Sequence, residues 1–160
     1  MHTFVVILIW FASFFYLTIL TLSAITYIKN KKKIIYREDG AAYLVRYKLI
    51  GCKWFKIRVH HILLSDHDCL HDHPWNFISI ILKGGYWERR WPIINKNFYK
   101  WYSPCSLLYR KATWRHSIEL PVGRTCWTFV IMFRRKREWG FWTKSGFVHW
   151  RKYNSNQNCE

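Results

Sequence analysis

The chain has 160 residues, 51% of them hydrophobic and 20% aromatic; this suits one ordinary domain with a short appendage and excludes a disordered chain. Its 26 Lys and Arg against 9 Asp and Glu give a formal net charge of +17, which points to an anionic neighbour such as lipid headgroups, nucleic acid or a phosphorylated ligand. With 7 Gly, 4 Pro and no repeat, a solenoid or a linker-rich architecture is excluded.

The first element in chain order is an uncharged run from Phe4 to Ile28, interrupted only by Ser13, Thr18, Thr21, Ser23 and Thr26. About 25 residues at ~1.5 Å each would span some 37 Å, which predicts a transmembrane helix over residues 1–28. Lys29, Lys31, Lys32 and Lys33 follow at once and place that end on the cytoplasmic side with the N-terminus outside. A cleaved signal peptide fits less well, because no Lys or Arg precedes the run and the run is long. Residues 29–36 read as a basic juxtamembrane linker facing anionic lipid headgroups. Five cysteines, Cys52, Cys69, Cys105, Cys126 and Cys159, include no C-x-x-C pair, so reduced thiols are expected.

Residues 37–153 read as a β domain and 154–160 as a polar tail. Phe55, Ile57, Val59, His61 and Leu63 alternate with Lys56, Arg58, His60 and Ile62, the period of a half-buried strand. Phe77–Leu82 is a continuous apolar run closed by Gly84 and Gly85, which predicts a hairpin returning through Tyr86, Trp87 and Glu88. Further strands are expected at Tyr99–Tyr102, Ser106–Arg110, His116–Leu120 and Cys126–Phe133, with Pro104, Pro121 and Gly123 between them. Many short strands without an amphipathic helix imply a sandwich or barrel.

The densest chemical signal is His71-Asp72-His73-Pro74-Trp75. Two histidines two apart on a strand point to one face and can share a divalent metal, with a further ligand from elsewhere. Structural histidines that brace the loop carrying Asp66, Asp68 and Asp72 are the plain alternative. The interleaved Arg and Trp at Trp87–Trp91, Trp114-Arg115 and Arg134–Trp142 fit aromatic filling with basic residues turned to water, more than a nucleic-acid surface.

On these motifs the chain resembles the cupin superfamily, and more narrowly a group of uncharacterised cupin-like proteins from phage and bacteria. His71 and His73 match the first-motif pair, and Gly84 and Gly85 stand where its glycine is expected. Pro104 to Arg110 leading to His116 matches the second motif, with Cys105 in a glycine position. Leu82–Glu88, His116–Leu120 and Arg137–Phe141 also resemble that group. The resemblance implies an all-β, double-stranded β-helix (jelly-roll) domain preceded here by the transmembrane helix. It also implies one divalent metal (Fe, Mn, Ni or Zn) on His71, His73 and His116, with Glu88 as a conceivable fourth group. The chain departs from the pattern where the first-motif carboxylate falls on Phe77 or Ile78. In the second motif the usual Asn falls on Leu120, and the inner Pro and Gly fall on Lys111 and Thr113.

Three functions follow as expectations. The first is a membrane-tethered cupin with a histidine metal site. The second is a non-catalytic module binding a phosphorylated or sugar-nucleotide ligand, and the third is a basic membrane-interaction protein using the barrel as scaffold. No Gly-rich phosphate loop, Ser-His-Asp set or recognisable acid–base carboxylate pair is present.

Overall fold

The structure, a computed structural model, describes residues 10, 13–21, 23, 31–67, 69–90, 98–153 and 159. The chain divides into two units, residues 1–32 and 33–160. In the first, residues 10, 13–21 and 23 are helical. The expected transmembrane helix over 1–28 is not borne out: among the described residues no helix is long and apolar enough to cross a membrane. The continuous described stretch, 13–21, covers about 13 Å at 1.5 Å per residue, against a hydrocarbon core of about 30 Å. The rest of that run lies outside the described residues. The single-pass topology, its N-out orientation and the membrane and lipid-headgroup partners rested on that helix and fall with it.

The second unit is built of strands β1 (Lys32–Tyr36), β2 (Ala42–Gly51), β3 (Phe55–Ile62), β4 (Leu70–His71), β5 (Trp75–Lys83) and β6 (Tyr86–Arg90), followed by β7 (Phe98–Tyr102), β8 (Leu107–Arg110), β9 (His116–Glu119), β10 (Cys126–Arg135), β11 (Gly140–Thr143) and β12 (Gly146–His149). They form two six-stranded sheets, ordered β1-β2-β3-β10-β5-β8 and β12-β11-β4-β9-β6-β7. The topology is cupin-like, an arrangement of two facing sheets rather than the jelly-roll barrel plus anchor that the sequence predicts. β10 alternates buried Cys126, Thr128, Val130 and Met132 with half-buried Trp127, Phe129 and Ile131, as a central strand with one core face must. One core cluster joins Leu44, Ile62, Ile81, Leu108 and Cys126 of the first sheet to Tyr86 and Tyr102 of the second.

Two short segments carry the chain from sheet to sheet and set the site. Asp72, His73 and Pro74 link β4 of the second sheet to β5 of the first. Gly84 and Gly85 then lead from β5 to β6, which pairs with β7 and β9 and not with β5. The expected hairpin is therefore a crossover. Gly84 has φ +82°, and a Cβ there would lie 2.2 Å from the Thr125 carbonyl oxygen, so a side chain has neither the conformation nor the room.

The thiols also differ from expectation. Cys69 and Cys159 form a disulfide, while Cys52, Cys105 and Cys126 are free. Residue 159 bridges to Thr143 of β11 in sheet fashion, and this brings the two sulfurs together from 90 residues apart.

Candidate metal centre

His71 and His116 are direct cross-strand partners, β4 against β9, and Phe141 of β11 faces His71 from the other side. His73 enters from the crossover, its backbone N–H donated to the Ala112 carbonyl at 3.2 Å. The three rings converge: centroids lie 5.1 Å apart for His71–His73, 4.9 Å for His71–His116 and 5.1 Å for His73–His116. Nε2 of His73 is 2.8 Å from Nε2 of His116. One ligand nitrogen from each ring lies within 4.8 Å of the others, close to the ~4 Å reach of two coordinate bonds of about 2.1 Å. The cluster can coordinate a divalent metal ion.

The donor chemistry fits such an ion. Glu88 lies behind His116 and accepts from its Nδ1 at 2.7 Å. Burial alone would raise the Glu88 carboxyl, but the hydrogen bonds and charges of His116 and Arg110 outweigh it and bring it to about 2. An ionised carboxylate only accepts, so Nδ1 of His116 carries the proton and Nε2 presents its lone pair to the cluster. Nδ1 of His71 faces Asp66 at 3.7 Å, which leaves Nε2 as its ligand nitrogen. Burial pushes His71 down to about 4 against the pull of Asp66. His73 is pushed well below the usual range by burial and by the neighbouring His116 and His71. Both are neutral at pH 7, the state a metal requires.

Glu88 is one end of a buried network. Arg110 grips it with Nε to Oε1 at 3.0 Å and Nη2 to Oε2 at 2.6 Å, and Nη2 also donates to the Tyr102 hydroxyl at 3.0 Å. Trp114 Nε1 adds a bond to Oε1 at 3.2 Å. Both carboxylate oxygens are thus engaged away from the cluster, so Glu88 sits as a support for His116. Asp72, wholly buried between the two histidines of its motif, faces the other way. It accepts the Gly140 N–H at 3.0 Å and meets Arg137 Nη1 at 2.9 Å. Asp66 accepts the Ile118 N–H at 2.6 Å and the Tyr43 hydroxyl.

His60 and His61 face opposite sides of β3. His61 lies on the outer face, stacked on Trp127 at 4.1 Å and 3.0 Å from Thr125 Oγ1, whereas Nε2 of His60 is buried. Arg110, Trp114 and Asp72 fall within stretches that the sequence singles out, but nothing in those stretches marks them as supports of the site. Only the period-two alternation of β8, in which Leu108 and Arg110 are both buried, marks Arg110 as an inward residue.

Beside His71 opens a cavity of about 260 Å³ whose walls include Tyr43, Asp66, Trp139, Phe141 and Tyr153. Its aromatic side is stiffened by stacking, Phe141 on Tyr153 at 3.8 Å and Trp139 on Trp150 at 5.7 Å.

No family model and no curated protein matches the chain. Solved structures do. A cupin-2 domain protein from Rhodospirillum rubrum matches with TM-score 0.56 and 15% identity, over 72% of this chain and 78% of that one. The polyketide cyclase RemF from Streptomyces resistomycificus matches with TM-score 0.53 and 21% identity, over 67% and 76%. The iron(II) form of HppE matches with TM-score 0.53 and 13% identity, over 65% of this chain and 57% of that one. The chain thus spans little more than half the length of HppE. These likenesses bear out a cupin-like fold.

Proposed function

We propose that this is a cupin-like metalloprotein in which His71, His73 and His116 hold one divalent ion, and in which the adjoining cavity presents a small molecule to that ion for reaction. The observation behind this reading is the convergence of three imidazoles, one ring fixed in tautomer by an ionised carboxylate, beside an aromatic-walled cavity. Three protein ligands characterise a catalytic site that keeps positions open, whereas structural zinc sites are closed by four. Bound there, a divalent ion supplies Lewis acidity to a ligand atom. The chain does the rest. Glu88 orients His116, Asp66 faces His71, and the stacked rings at Phe141 and Trp139 exclude water and bury the apolar part of the ligand.

Metal analysis of the desalted whole chain, supplied in turn with Fe(II), Mn(II), Ni(II) and Zn(II), tests the centre. His71→Ala, His73→Ala and His116→Ala should each lose most of the bound ion, and His67→Ala should retain it. No bound ion under any supply, or undiminished occupancy in all three variants, overturns the reading in favour of histidines that simply bond to one another.

A further inference from the structure

The inner face of the first sheet does not stay apolar toward the histidines. On that face β2 follows buried Leu44 with Arg46, and β3 precedes buried Ile62 with His60 and Arg58. Arg46 pairs with His60 across β2 and β3, and His60 with buried Thr128 of β10. Arg46 Nε, Arg58 Nη1 and His60 Nε2 are all shielded from solvent and have no hydrogen-bond partner. Among the described residues no carboxylate pairs with either arginine. Glu88 is held by Arg110 and His116, Asp72 by Arg137 and Gly140, and Asp66 by Tyr43 and Ile118. His73 packs on Phe77 with ring centroids 4.8 Å apart, Phe77 clusters with Val130, and Val130 pairs with Arg58 across β10 and β3, which places this row next to the histidine cluster.

We propose that Arg46, Arg58 and His60 form an oxyanion-binding subsite beside the three histidines, which takes a carboxylate or phosphoryl group of the small-molecule ligand. Buried polar groups without partners are costly, and buried cations more so. Three of them side by side, with no acid among them, mark a place where the counter-charge comes from outside. Burial, and then the charge of Arg58, lower Arg46 only to about 10, so its guanidinium remains charged at neutral pH. Two planar forks and an imidazole offer N–H donors in the geometry that oxyanions accept. The idea extends the metal reading by giving the ligand a charged end, but it stands on different residues.

The test titrates acetate and inorganic phosphate, at ionic strength held constant with chloride, into the metal-depleted and the metal-loaded whole chain, read by calorimetry and thermal shift. Saturable binding is expected in the metal-depleted chain. Arg46→Gln and Arg58→Gln should each weaken it by about tenfold, the size of one charge-assisted bond, while metal occupancy stays at the parent level. The tighter of the two anions identifies the group. Absence of saturable binding of either anion overturns the subsite, as does binding that survives both substitutions. Binding seen only in the metal-loaded chain and untouched by the arginine changes places the anion on the ion, so that the subsite fails and the metal reading stands. Arginine-dependent binding in a chain that takes up no metal under any supply does the opposite: the subsite stands and the metal reading fails. Should a Gln variant fail to fold by circular dichroism, Arg46→Lys and Arg58→Lys, which keep the charge but not the fork, decide by the same tenfold criterion.

Discussion

His116 donates its Nδ1 proton to Glu88 at 2.7 Å while Arg110 clamps both oxygens of the same carboxylate. Glu88→Gln removes the charge and breaks that clamp. Metal affinity, measured by competition with a chromophoric chelator, should fall roughly 10–100-fold, as for other partners of metal-bound histidines. Stability in urea should fall by about 3–5 kcal/mol, because Arg110 loses its buried counter-charge. Unchanged affinity with lowered stability would reduce Glu88 to a packing role.

Acid should weaken the fold well before carboxylates titrate. An unfolded chain protonates its histidines below about 6.5, whereas the folded chain leaves His71 neutral to about 4 and His60 to about 3. Between those limits the unfolded state binds more protons, so stability falls with falling pH, by about 1.4 kcal/mol per unit for each such histidine. Below the usual carboxylate range Glu88, held down at about 2, adds a second loss in the same direction. Urea midpoints at pH 7 and pH 5 with chelator present should differ clearly; equal midpoints would mean that these rings are not buried neutral.

The disulfide between Cys69 and Cys159 closes a loop of 90 residues. Chain-entropy reasoning gives such a loop about 4–5 kcal/mol. Cys159→Ser, or reduction with dithiothreitol, should lower stability by about that amount. Thiol counting on the denatured chain should give three free groups before reduction and five after. Five before reduction would contradict the bond.

Among the described residues Cys105 is the non-glycine residue with positive φ, at 68°, in the position where the motif it resembles has glycine. The left-handed conformation costs a side chain about 1–2 kcal/mol, and glycine returns about 0.5–1 of that as chain entropy. Cys105→Gly should therefore raise stability by about 0.5–1 kcal/mol in urea, and Cys105→Val should lower it.

The period of the strands was legible in the sequence, but their phase was not. In β3 the inward set is Ile62, His60 and Arg58, which pair with buried Cys126, Thr128 and Val130 of β10, and not the more apolar Phe55, Ile57 and Val59. Outside, an aromatic layer with Tyr47 and His61 on Trp127 covers the apolar set. In β2 Leu44 is followed on its face by Arg46 and Lys48, whereas Tyr43, Val45 and Tyr47 take the other face, so that the apolar alternation marks the side opposite the polar interior. His71, His73 and His116 were readable because a short motif carries them. Glu88 was readable as a neighbour, but its role needed the position of Arg110. The disulfide gave no spacing cue, and the apolar N-terminal run gave a length that the described helix does not reach.

Asp72 touches none of the three ligand nitrogens, yet it is the floor on which two of the rings stand. His71 and His73 sit on either side of it in sequence, and its own carboxylate is moored to Gly140 of the neighbouring strand β11 and to Arg137 of the loop before it. Three adjacent codons thus encode both a working surface and its foundation. A genetic screen for lost metal would return changes at Asp72 together with those at the histidines, and mapping by proximity to the ion alone would leave that hit without an explanation.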